Sequence, residues 1–242
     1  MTDTASSINM KSRGVKLRAC VYCLLSIVYC LLLFTPALAH GGEPHSFSEL
    51  PFTWARDPLI WVCLALSGGL YLRGVRLLWR ESGRGRGIRR WEAWAYAGGW
   101  AALFVALGSP LHPLGGVLFS AHMTQHEVLM VAAAPLLVLG RPVVAFLWGL
   151  PLSWARELGG WARVVWFRRA WRALTNPLAA WAIHAAALWV WHMPVLFQAT
   201  LRSDLVHTLQ HVSFLGSALL FWWALIHGPQ GLMGYGAAVL YL

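Results

Sequence analysis

Charge is what this 242-residue chain most lacks: only nine residues are acidic, and charged residues of all types make up 12% of the whole. Soluble domains average about 25% charged, so a chain wetted over its entire surface is excluded. Cysteine is nearly absent after the first 30 residues. Cys20, Cys23 and Cys30 lie close to the N-terminus and only Cys63 follows, which excludes an internal disulfide framework and a thiolate metal site in the remainder. Cys20-Val21-Tyr22-Cys23 has a redox-like spacing, but it lies in an apolar segment where packing accounts for it. No nucleic-acid motif, internal repeat or low-complexity tract stands out. Ser82-Gly83-Arg84-Gly85-Arg86-Gly87 is a flexible basic turn, too irregular for a phosphate-binding glycine loop.

What is present is apolar length. Hydrophobic residues make up 58% of the chain, and the long runs predict membrane spans at 57–78, 91–108, 120–139, 177–196 and 205–227, most of them near the roughly 20 residues that a crossing requires. A sixth apolar run begins at Tyr235 and reaches only Leu242. The expected class is an all-α, polytopic transmembrane helix bundle of five complete spans, with the chain apparently truncated in the start of a sixth.

Lys11, Arg13, Lys16 and Arg18 precede an apolar stretch, Ala19–Phe34, and then Pro36-Ala37-Leu38-Ala39. This order of basic, apolar and small-residue regions predicts a signal peptide or N-terminal anchor over 1–39, leaving 40–242 as the transmembrane domain. Cleavage after Ala39 would make His40 the terminal residue. Seven arginines from Arg73 to Arg90 mark the first connection and six from Arg141 to Arg172 the third, whereas 109–119 has none and 197–204 only Arg202. The positive-inside rule makes the arginine-rich connections cytoplasmic. The net charge of +10 follows from that bias and from anionic lipid contact, so the lipid bilayer is an expected partner and nucleic acid is not. In 141–176, tryptophans interleaved with arginines predict amphipathic structure in the cytoplasmic interface.

With that orientation, eight of the ten histidines gather on the outer side. His122 and His126 form one pair at i,i+4 spacing, and His207 and His211 another, so each pair points two imidazoles from one helix face. His192 falls at similar depth, His112 lies in the short outer loop, and His40 and His45 lie in the outer N-terminal segment. His184 sits deeper and is read as a hydrogen-bonded core residue, and His227 as interfacial. Histidine within a span is costly without a partner or a role. Met123 follows His122 and Met193 follows His192, and imidazole with thioether suits Cu(I). Glu127 adds a carboxylate about 100° round the helix from His126. Copper binding, bis-histidine haem ligation and a di-iron centre all remain open on spacing alone.

Ser109-Pro110-Leu111, the run Leu118–His126, Ala134-Pro135-Leu136-Leu137 and Gly140-Arg141-Pro142 resemble the signature of the CtaG-type cytochrome c oxidase assembly factors associated with caa-type oxidases. Trp191-His192-Met193-Pro194, His207 to His211, Phe214 and Phe221-Trp222-Trp223 extend the likeness, which covers about 50–242. The resemblance implies a multi-pass protein of the bacterial inner (plasma) membrane, usually with about seven helices, that helps mature a haem-copper oxidase. It implies oxidase subunits or other assembly factors as partners, copper as the group handled, and no enzymatic activity. His122, His126, His192, His207, His211 and Met123 match the family's recurring positions. Met193, Glu127, His112 and His40 are auxiliary candidates, and His112 departs from a frequently acidic position. The alternative is a membrane oxidoreductase holding haem or di-iron through the same histidines.

The orientation is open to a direct test. In intact cells a Ser82→Cys variant should resist an impermeant thiol reagent, while Ser109→Cys should react. Labelling at position 82 from outside would reverse the topology.

Overall fold

The computed structural model describes residues 58–115 and 118–228. The expected signal segment, His40, His45 and the run 235–242 lie outside the described residues. Those described are all-helical. The order is α1 (Pro58–Ser82), α2 (Arg90–Leu103) continuing as a π-helical segment Phe104–Gly108, and α3 (Leu111–Gly115). Then come α4 (Phe119–Glu127), a π-helical segment Val128–Ala133, α5 (Ala134–Leu139), α6 (Pro142–Gly149) and α7 (Leu152–Trp161). The rest is α8 (Val165–Leu174), α9 (Pro177–Trp191), α10 (Pro194–Arg202) and α11 (Asp204–His227).

By length and composition α1 and α11 can each cross a bilayer. Up to four crossings result if each of two bent pairs is one span: Phe119–Leu139 with α6, bent by 60°, and α8 with α9, bent by 66°. Two predicted spans therefore differ. The 91–108 span corresponds to α2 and its π segment, whose first half carries Glu92 and is not among these candidates. The 177–196 span stops at Trp191, because Pro194 has no N–H to bond the carbonyl of Val190 and a new helix starts there.

Helices approach closely where a side chain is missing. A Cβ on Gly74 of α1 would collide with the carbonyl of Ala145 in α6, and one on Gly149 would lie 2.6 Å from the carbonyl of Leu70. Gly99 of α2 likewise faces α5, with Leu137 N at 2.7 Å from its would-be Cβ. Small residues that let backbones touch are the usual basis of helix association in lipid, where burial of apolar surface contributes little between helices. The stacked rings of Tyr71 and Tyr96, 3.5 Å apart, lie beside these contacts, and the Tyr71 hydroxyl donates to the Gly140 carbonyl at 2.7 Å.

Two prolines explain the two π segments. Pro110 cannot donate to Ala106, four residues earlier, and the Ser109 N–H bonds back five residues to Phe104. The orphaned Ala106 carbonyl accepts Gln125 Nε2 from α4 at 2.7 Å. Pro135 cannot donate to Met130, five residues earlier, and the Ala134 N–H goes to Leu129. The Met130 carbonyl accepts Trp222 Nε1 from α11 at 2.9 Å instead. Each proline thereby generates a bond between helices.

The arginine-rich segments meet at one end. Arg141, left-handed at φ 52°, donates to the Gly87 carbonyl at 3.2 Å and lies 3.8 Å from buried Glu92, which accepts the Arg89 N–H. Trp171 of α8 packs on Trp223 near the C-terminal end of α11, where His227 stacks on Trp223. His207 and His227 are about 30 Å apart along α11. Helices α7 and α8 bury no residue.

Gly74→Ala should destabilise the bundle by at least the about 1–3 kcal/mol typical of overpacking. Gly159→Ala in α7, with no atom within 4 Å of the new Cβ, should be neutral or slightly stabilising. Thermal unfolding in detergent measures both.

Candidate functional site

Helix α4 and the N-terminal part of α11 face each other through their histidine pairs. Within a pair the ring centroids are 4.4 Å apart, for His122–His126 and for His207–His211 alike. Across the two helices His122 faces His207 at 5.2 Å and His126 faces His211 at 5.1 Å. The four imidazoles thus form a quadrilateral. Ligating atoms of His122, His126 and His207 all fall within 4.8 Å of one another. A metal held by imidazoles at about 2 Å requires nitrogen separations of about 3.3 Å, so modest side-chain rotation would close the set on one ion.

Their nitrogens lack protein partners. His122 Nε2, both ring nitrogens of His126, His207 Nε2 and His211 Nε2 are buried with no hydrogen bond from the protein. Buried polar atoms are otherwise nearly always paired, because desolvation without compensation costs about 1–3 kcal/mol each. Convergent unpaired nitrogens fit a group that they bind together, such as a metal ion.

The remaining candidates divide. His112, on α3, comes within 5.8 Å of His207 and 6.0 Å of His211. Gln125 Nε2 donates both to the Ala106 carbonyl and to His112 Nδ1, the latter at 2.8 Å. The carbonyl fixes the amide orientation, so His112 Nδ1 accepts and its neutral ring carries the proton on Nε2. That makes His112 a hydrogen-bonding neighbour of the cluster. His192 is apart from it: exposed at the end of α9, it stacks on Phe214 at 6.1 Å, and Phe214 in turn meets His126 at 4.8 Å. His192 thus reaches the cluster only through Phe214, a fully buried ring that touches both. Met123 is half-buried and points about 100° away from His122 round α4. Glu127 is exposed and joins no ligand group. Met193 is 54% exposed beside His192. His184 Nδ1 lies 2.9 Å from Ser217 Oγ, which donates to the Phe214 carbonyl, so the hydroxyl accepts from the ring as expected of a satisfied core histidine.

Residues 69–242 match the family described as cytochrome c oxidase caa3 assembly factor. The chain belongs to that family. It is 30% identical over 196 residues to an uncharacterized protein of Mycobacterium bovis and to one of Mycobacterium tuberculosis. An uncharacterized protein of Mycobacterium leprae is 27% identical over 197 residues. Each alignment takes in 78% of this chain and 29% of the relative, so the chain spans under a third of the length of these relatives. No solved structure matches. All four clustered histidines, His112 and His192 fall within the matched residues.

Two residues of the cluster escape a reading that looks only for ligands. Gln125 is 0% exposed and Gln210 1%, and the carbonyl oxygen of each side chain is buried without a partner. The signal was legible: His122-Met123-Thr124-Gln125-His126 and His207-Thr208-Leu209-Gln210-His211 share the pattern His-x-x-Gln-His, which is an internal repeat after all. On a helix i, i+3 and i+4 share one face, so glutamine accompanies each histidine pair inward. Gly115 makes room, since a Cβ there would come within 3.2 Å of Gln125 Oε1.

Gln125→Leu leaves the Ala106 carbonyl and His112 Nδ1 unpaired. Loss of about 1–3 kcal/mol of stability is expected, measured by denaturant unfolding in detergent, and a neutral result would show that the amide bonds contribute nothing net.

Proposed function

We propose that this membrane protein assists cytochrome c oxidase assembly by binding copper through His122, His126, His207 and His211 and passing it on at the outer face of the bacterial inner membrane. The observation that carries the reading is the meeting of four imidazoles from two helices, each with a buried ring nitrogen that has no protein partner. Imidazole is a good ligand for copper, a neutral ligand set adds no charge to be buried in an apolar bundle, and family membership supplies the oxidase context. Copper here is cargo, so release matters as much as binding.

The arginine-rich end of the bundle supports the orientation. Under the positive-inside rule it faces the cytoplasm, which leaves the histidine end, about 30 Å away along α11, on the outer side. Oxidase subunits or other assembly factors are the partners that this placement serves. A haem or di-iron oxidoreductase fits less well. Rings in contact at 4.4 to 5.2 Å leave little room for a porphyrin between them, and Glu127, the carboxylate next to the cluster in sequence, lies outside it.

Replacing His122 and His126 together with alanine should remove bound copper while leaving membrane insertion intact, because apolar segments govern insertion and imidazoles govern ligation. Metal analysis and a visible spectrum of the purified protein check this. Undiminished copper in the double variant would remove the pair from the site, and a Soret band in the wild type would favour haem.

A further inference from the structure

His192 and Met193 occupy the break between α9 and α10, where an imidazole and a thioether are both exposed. His192 is the C-terminal cap of α9 and Met193 the N-terminal cap of α10, with Pro194 forcing the break. The last carbonyls of a helix favour a cation. The ring is also prepared for ligation. Its Nδ1 lies 2.7 Å from the Leu188 carbonyl, which can only accept, so Nδ1 donates and Nε2 keeps its lone pair. A ligating histidine characteristically has its second nitrogen tied in this way.

One buried residue touches both this exposed pair and the buried quadrilateral. Phe214 is 0% exposed, and one ring contact joins it to His192 while another joins it to His126. The phenyl ring is therefore the contact through which the exposed pair adjoins His126.

From this arrangement we infer that His192 and Met193 form an acquisition site for a soft monovalent metal ion of the Cu(I) class, from which the ion passes Phe214 to reach His126. This rests on the copper reading of the buried cluster. Transfer is a ligand exchange: bonds from the ion to His192 Nε2 and Met193 Sδ break as bonds to the cluster nitrogens form, with no change of oxidation state and no proton released. Because the pair lies on the path and outside the destination, it sets rates in both directions and leaves the final affinity alone.

The experiment uses the purified full chain in detergent and Cu(I) delivered from its coloured bicinchoninate complex, with loading and release followed by absorbance. The double variant His192→Ala, Met193→Leu should bind as much copper as the wild type with the same affinity. Loading and release should both slow by about tenfold, the scale of effect seen when a supporting group of a metal site is lost. Met193→Leu alone, which leaves the helix cap intact, should slow both in the same direction. Unchanged rates would overturn the acquisition site. Weakened affinity with faster release would overturn it differently, by making His192 a ligand of the cluster itself. A wild-type protein that takes up no copper would instead remove the reading beneath it, and this inference with it.

Discussion

Polar groups buried in an apolar bundle must find partners within the protein, and most of this architecture follows from how that demand is met. In a membrane segment no water replaces a missing donor. Pro110 and Pro135 each deprive a carbonyl of its helical partner, and a side chain from a different helix takes the place, Gln125 for Ala106 and Trp222 for Met130. These bonds tie α4 to the π segment after α2, and α11 to the π segment after α4. They set the registers that bring the two histidine pairs opposite each other. Among the described residues, the buried side-chain atoms without a partner, imidazole nitrogens and the Oε1 atoms of Gln125 and Gln210, all belong to the two His-x-x-Gln-His segments.

Close packing supplies the second condition. Gly74, Gly149 and Gly99 let backbones meet at the α1–α6 and α2–α5 contacts, and the stacked Tyr71 and Tyr96 fill the space beside them. The arginine-rich segments converge at that end through Arg141, Glu92 and the Gly87 carbonyl. One end of the bundle is therefore built from ionic and backbone contacts and the other from neutral imidazoles and amides.

The candidate site lies where helices are interrupted. Both histidine pairs adjoin irregular backbone: His122 and His126 precede a π segment, and His207 and His211 begin α11 just after the α10 turn. His192 and Met193 sit on a complete break. Irregular helix within a membrane is tolerated where other groups satisfy the freed backbone or where it borders a site, and both conditions occur here.

Sequence alone determined the all-helical membrane character, because apolar length and scarce charge leave no other solution, and it determined the pairing of His122 with His126 and of His207 with His211, because i,i+4 spacing is a property of the helix itself. The family was legible from ordered motifs for the same reason: these are local patterns. The number and limits of the spans were not, since Pro194 cuts the expected 177–196 helix at Trp191 and bends divide others. Gln125 and Gln210 were visible as a repeat, yet their burial and their bonds depend on which carbonyls two distant prolines leave open. That the two pairs face each other, that Phe214 touches both His192 and His126, and that Glu127 lies outside the cluster were decided only by tertiary structure. Helix spacing fixes which residues share a face, but which faces meet depends on close approach at glycines and on bonds between segments as far apart as Met130 and Trp222.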